Sequence, residues 1–74
     1  MSALRLYGTA HCHLCEAAES VLQSAGVTAE KIDIMETPAL LECYATRIPV
    51  LYREDSAREL DWPFDGVAVQ NFLR

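Results

Sequence analysis

The sequence predicts an α/β fold in the order strand, helix, strand, helix, two strands, helix. Three observations carry this. Short alternating apolar runs around Leu4-Arg5-Leu6-Tyr7 and Lys31-Ile32-Asp33-Ile34 read as half-buried strands. Between them Leu14, Ala17, Ala18, Val21, Leu22 and Ala25 recur at the spacing of one helix face. Two further β-prone runs, Ile48–Tyr52 and Arg58–Trp62, are separated by the turn residues Glu54-Asp55-Ser56, the pattern of an antiparallel hairpin.

Taken in order, the first strand covers Ala3–Tyr7 and breaks at Gly8-Thr9-Ala10. The first helix follows over Leu14–Ala25, with Glu16, Glu19, Ser20, Gln23 and Ser24 on its polar face. Gly26 is a left-handed stop, after which Val27 can fold back on the last turn. A second strand over Thr28–Ile34 completes a βαβ unit, whose crossover is expected to be right-handed with parallel strands. Thr37-Pro38 offers an N-cap with proline at the first helical position, opening a short helix through Tyr44. Pro49 stands at the start of a strand, where its missing N–H does least harm. The alternating charges of Arg58-Glu59-Leu60-Asp61-Trp62 suit an exposed sheet edge, and Asp65 can cap a last helix carrying Val69, Phe72 and Leu73.

The chain is organised around Thr9-Ala10-His11-Cys12-His13-Leu14-Cys15. Two cysteines three positions apart fall at a strand-to-helix turn. There the free N–H groups and the positive end of the helix dipole stabilise a thiolate. A thiolate is the nucleophile of thiol–disulfide exchange, and this is the environment that lowers a cysteine pKa. Cys15, one turn on, is placed to attack the first sulfur. The spacing thus supplies an attacker, Cys12, and a resolver, Cys15, expected to be the more buried of the two.

Bulk properties narrow the alternatives. Seventy-four residues make one domain, 1–74. Eleven acidic against six scattered basic residues, net −5, argue against a nucleic-acid surface, which needs clustered cations. The apolar runs are too short for a membrane span, and the start lacks the pattern of a signal peptide, so a cytoplasmic location is the expectation. Three cysteines in such a chain make a structural disulfide framework a poor reading. A Cys12–Cys15 bridge closes so short a loop that it restricts the unfolded chain little. Reactivity is the better purpose.

With the element order and Cys12-His13-Leu14-Cys15 in hand, the chain resembles the glutaredoxin and thioredoxin family over nearly its full length. Within it, the chain looks most like a group of short glutaredoxin-like proteins with C-H-L-C and a W-P-F-D segment, here Trp62-Pro63-Phe64-Asp65. The resemblance implies a thioredoxin-like, glutaredoxin-type fold: a four-stranded mixed sheet flanked by three helices. It also implies a cis Ile48-Pro49 bond beside the cysteines, with Ile48 and Pro49 bordering the substrate groove and the Ile48 backbone free to pair with an extended peptide. The function it implies is a small thiol–disulfide oxidoreductase, an electron carrier in cell redox homeostasis. It would act on protein or small-molecule disulfides as a monomer, with glutathione or a thioredoxin-reductase-type enzyme as donor. No bound cofactor is required, because the dithiol itself carries two electrons. Glutathione as co-substrate is expected to bind weakly. Thr9-Ala10-His11 stands where glutathione-binding members carry a basic residue, Arg47 where they carry threonine, and Pro63-Phe64-Asp65-Gly66 offers one glycine of a usual pair.

Several residues carry two readings. His13 as imidazolium would stabilise the thiolate, and otherwise is a solvated histidine. Glu16 suits the helix start, but its charge raises a nearby thiol pKa. Arg47 can pair with a carboxylate on a substrate, or lie in solvent. Cys43 is expected to be buried or half-buried. Trp62 and Phe64 read as packing. Two other functions remain: a non-catalytic binding module on the same scaffold, and a metal or iron–sulfur carrier. The second is suggested by His11, Cys12, His13 and Cys15 within five residues, but it lacks the second ligand pair that structural zinc sites draw on.

Overall fold

The computed structural model describes residues 3–74. Met1 and Ser2 lie outside the described residues. Four strands, β1 (Leu4–Gly8), β2 (Glu30–Asp33), β3 (Val50–Arg53) and β4 (Arg58–Asp61), form one sheet in the order β2-β1-β3-β4. β1 pairs with β2 in parallel and with β3 antiparallel, and β3 with β4 antiparallel. The helices are α1 (His13–Ser24), α2 (Pro38–Tyr44) and α3 (Gly66–Phe72). This is the mixed four-stranded sheet with three helices that the resemblance implied.

Strand alternation splits the core into two layers. Leu6 and Leu51 pack with Ala18 and Leu22 of α1 and with Phe64, Val69 and Phe72 around α3. Their neighbours Tyr7 and Val50 point to the other face, against Ile34, and Tyr44 of α2. Fully burying a Leu or Val contributes about 1.5–3 kcal/mol. These paired strand residues are therefore what clamps helices to both faces. α1 closes as its sequence suggests. Gly26 takes φ 71°, and the Val27 N–H donates to the Leu22 carbonyl at 2.9 Å, bringing Val27 onto the core.

Other elements depart from expectation. Gly8 belongs to β1, opposite Asp33 in the parallel register, rather than breaking the strand. β2 stops at Asp33, because the Asp33 carboxylate accepts the Met35 N–H at 2.9 Å and starts a 3-10 turn over Ile34–Glu36. Ile34 is buried from that turn, not from the strand. Pro38 opens α2, but the Thr37 side chain makes no capping bond. Leu14, expected on the buried face of α1, is 52% exposed in that helix's first turn. Cys43 is exposed rather than buried, since α2 turns Leu40, Leu41 and Tyr44 inward and Cys43 away. Asp65 caps α3 as expected, accepting the Ala68 N–H at 2.8 Å. Trp62 meets Phe64 edge-on at 5.0 Å and packs on the core.

Candidate functional site

The C-terminal end of β1 leads into the first turn of α1 through Thr9, Ala10 and His11. His11 adopts φ 59°, a left-handed conformation in which histidine is several-fold enriched among non-glycine residues. That turn sets Cys12 in extended conformation (φ −108°, ψ 109°) at the N-cap of α1. Its sulfur occupies the place of the usual capping oxygen: Cys12 Sγ accepts the Cys15 N–H at 3.1 Å. The Cys12 carbonyl accepts the Glu16 N–H, also at 3.1 Å. Cys12 and Cys15 are joined as a disulfide with Cα atoms 5.2 Å apart. Cys12 is half-buried, whereas Cys15 is 5% exposed.

A cleft of about 300 Å³ opens on this pair, lined also by Thr9, His11, Glu16 and Asp33. Gly8 forms its floor beneath Cys15, and a Cβ there would stand 2.9 Å from the Cys15 sulfur. On the opposite side, Tyr7 pairs with Val50, so the register carried one residue on sets Pro49 across from Gly8. Pro49 is fully buried, and the Ile48-Pro49 bond is cis. The Trp62-Pro63 bond is cis as well.

The remaining sequence-selected residues fall as follows. His13 projects into solvent with its side chain 99% exposed, and its Nδ1 lies 3.7 Å from Glu16. Of the Ile48 backbone, expected to be available to an extended peptide, the N–H donates to the Tyr44 carbonyl at 3.1 Å. Arg47 is bound within the chain: its Nη2 donates to Glu59 and to Asp61 of β4, each at 2.8 Å, and its guanidinium lies 5.1 Å over the Tyr44 ring. The Tyr44 hydroxyl donates a hydrogen bond to the other Glu59 oxygen. This bond, then Arg47, holds the Glu59 carboxyl below the usual glutamate range. Burial, then the bond to Glu59, pushes the Tyr44 phenol well up, so it stays a donor. The hydrogen bonds that Arg47 donates to Asp61 and Glu59 raise its own pKa further.

Sequence reasoning missed Gly8, Tyr44, Glu59 and Asp61. A glycine ending a strand just before a reactive pair is a signal of close backbone approach. Tyr44 and Glu59 are fifteen residues apart, and only the fold unites them. Among the described residues, no three His, Cys, Asp or Glu side chains converge to hold a metal ion. Nor is any helix among them long and apolar enough to cross a membrane.

Sheet order, helix placement and a cysteine pair at the N-terminus of α1 define a thioredoxin-like protein. A family model described as glutaredoxin-like domain (DUF836) matches residues 3–74, and the chain belongs to that family. It is similar to a structural-genomics target protein from X. campestris, solved by X-ray crystallography: 40% identity over 96% of this chain and 95% of that one, TM-score 0.87. A solution structure of a protein from Nitrosomonas europaea is 27% identical over 93% of this chain and 87% of that one, TM-score 0.71. A crystal structure of a thioredoxin-like protein shares the fold at 19% identity over 99% and 96%, TM-score 0.70. No curated protein matches the chain.

Proposed function

We propose that the protein is a small thiol–disulfide oxidoreductase. The observation that carries this reading is the Cys12 sulfur seated at the N-cap of α1, hydrogen-bonded by the Cys15 N–H and disulfide-bonded to a buried Cys15. An N–H aimed at the sulfur, together with the helix dipole, favours its thiolate. That thiolate attacks one sulfur of a partner disulfide and releases the other as a thiolate, forming a mixed disulfide. Cys15, losing its proton, then attacks the Cys12 sulfur. The Cys12–Cys15 bond forms, the partner leaves as its second thiol, and two electrons have passed to it. The protein would work in the cytoplasm as a monomer, re-reduced by glutathione or a thioredoxin-reductase-type enzyme.

Glutathione itself is proposed to be a weak ligand. Arg47 engages Glu59 and Asp61, Lys31 engages Glu19 at 3.0 Å, Arg53 engages Asp55, and Arg5 lies 3.5 Å from Glu54. Those four cations are thus already paired with the chain's own carboxylates when a glutathione carboxylate arrives.

The test is turnover of a low-molecular-weight disulfide with glutathione or thioredoxin reductase supplying electrons. The proposal expects catalysis by wild type and none by Cys12→Ser. A binding module on the same scaffold would give no turnover with either donor.

A further inference from the structure

Gly8 ends β1 where the strand runs beneath the first turn of α1. It is buried, and a Cβ built on it would lie 2.9 Å from the Cys15 Sγ and 3.4 Å from the Cys15 Cβ. Its backbone is outside the left-handed region, so alanine would meet no torsional penalty there, only the side chain of Cys15. The chain's two other glycines differ: a Cβ on Gly26 or Gly66 meets nothing within 4 Å. What requires glycine at position 8 is therefore the sulfur above it.

We propose that Gly8 is a positioning residue for disulfide exchange: its bare Cα is the floor on which the Cys15 sulfur rests, and this sets how readily the Cys12–Cys15 bond forms. The proposal rests on the reading of that pair as the exchanging dithiol. In the disulfide, the Cys15 sulfur is held by two covalent bonds and cannot swing away from an added methyl group. In the dithiol, it is the free end of a short side chain and rotates aside. A methyl group at position 8 consequently penalises the oxidised form more than the reduced one. The same floor governs which sulfur a partner meets. With Gly8 in place Cys15 is 5% exposed; displaced by a methyl group, its thiol turns toward solvent and competes with Cys12.

The test uses a glutathione redox buffer. Two glutathione thiols reduce the protein disulfide: the Cys12–Cys15 bond breaks and a glutathione–glutathione bond forms. Two electrons pass to the protein sulfurs, and the two thiol protons go with them. Wild type, Gly8→Ala and the matched control Gly66→Ala are each equilibrated across the buffer, quenched by alkylation and read by intact mass. Gly8→Ala is expected to shift the equilibrium about tenfold toward the dithiol, the scale of an overpacked core site, and to raise the share of label on Cys15 under limiting reagent. Gly66→Ala is expected to follow wild type.

A second readout separates positioning from strand stability. In a Cys15→Ala background the sulfur is gone, so Gly8→Ala should lower the thermal midpoint much less than it does in oxidised wild type. A Gly8→Ala chain that folds only in that background supports the proposal in its strongest form. Equal loss in both backgrounds, with an unshifted redox equilibrium, overturns it. Wild type that never equilibrates with the buffer overturns the exchange reading and this proposal together. Wild type that equilibrates while Gly8→Ala matches Gly66→Ala overturns this proposal alone.

Discussion

The Cys15 N–H donates to the Cys12 sulfur across 3.1 Å, so the first turn of α1 is capped by the atom that the proposed chemistry needs charged. The Cys43 thiol is exposed on α2, seven residues long, and caps no helix end. On reduced protein at pH 7, limiting iodoacetamide should label Cys12 before Cys15 and before Cys43, because alkylation follows thiolate character as well as access. Peptide mass mapping locates the label. Preferential labelling of Cys43 would mean that access alone decides.

Acid should loosen the loop that carries Pro49. Glu59 is held below its ordinary value of 4.5 by the Tyr44 hydroxyl and then by Arg47. Just below that value the unfolded chain binds more protons than the folded one. The stabilisation is therefore fully present above it and is lost as pH falls through the folded pKa. The thermal midpoint should be flat near neutrality and fall below about pH 4.5, and Glu59→Gln should flatten that acid limb. Tyr44→Phe, leaving the ring stacked 4.7 Å from Tyr7, should cost about 1–2 kcal/mol at pH 7. An acid limb unchanged by Glu59→Gln would contradict this account.

Leu14 and Leu51 should respond in opposite ways to truncation. Leu14 is 52% exposed and Leu51 0%. Leu14→Ala should change stability by no more than about 0.5 kcal/mol, and Leu51→Ala should cost about 2–5 kcal/mol. Denaturant unfolding of both variants measures the difference. A comparable loss at the two positions would place Leu14 in the core after all.

That contrast shows how far the sequence could be read. Periodicity, helped by turn and cap residues, placed the four strands and three α-helices, because each buries one face and the face repeats locally; it did not show the 3-10 turn that takes Ile34 out of β2. It misjudged Leu14, since spacing along a helix does not reveal which of its turns the rest of the fold covers. Cys43 was misjudged on residue type, since free cysteines are often buried, whereas α2 turns Leu40, Leu41 and Tyr44 inward. The reactive pair was legible because Cys12 and Cys15 are one turn apart, and the resemblance added the cis Ile48-Pro49 bond. The clamp of Tyr44, Arg47, Glu59 and Asp61 was not legible, because β4 brings its two carboxylates to α2 and the loop after it only when the sheet forms. Nor was the tie between the Ile48 N–H and the carbonyl that ends α2 legible, for the same reason.

Glutathione should bind weakly to the Cys15→Ser protein, with chemical shifts still moving at millimolar ligand. Releasing Arg47 by the double substitution Glu59→Gln and Asp61→Asn should tighten binding several-fold, since a free guanidinium can take a carboxylate as a charge-assisted pair. Saturation of the Cys15→Ser protein at low micromolar glutathione would show that some other group receives it.

The most direct measurement is of the mixed disulfide itself. Cys15→Ser removes the resolving sulfur while leaving Cys12 at the N-cap of α1. Incubated with a disulfide-bonded model peptide, it should accumulate one adduct, seen by intact mass, mapped to Cys12 and released by dithiothreitol. Cys12→Ser should form little or none, because Cys15 is 5% exposed and rests on Gly8. Equal adduct formation by the two variants, or none by either, would contradict the assignment of Cys12 as the attacking thiolate.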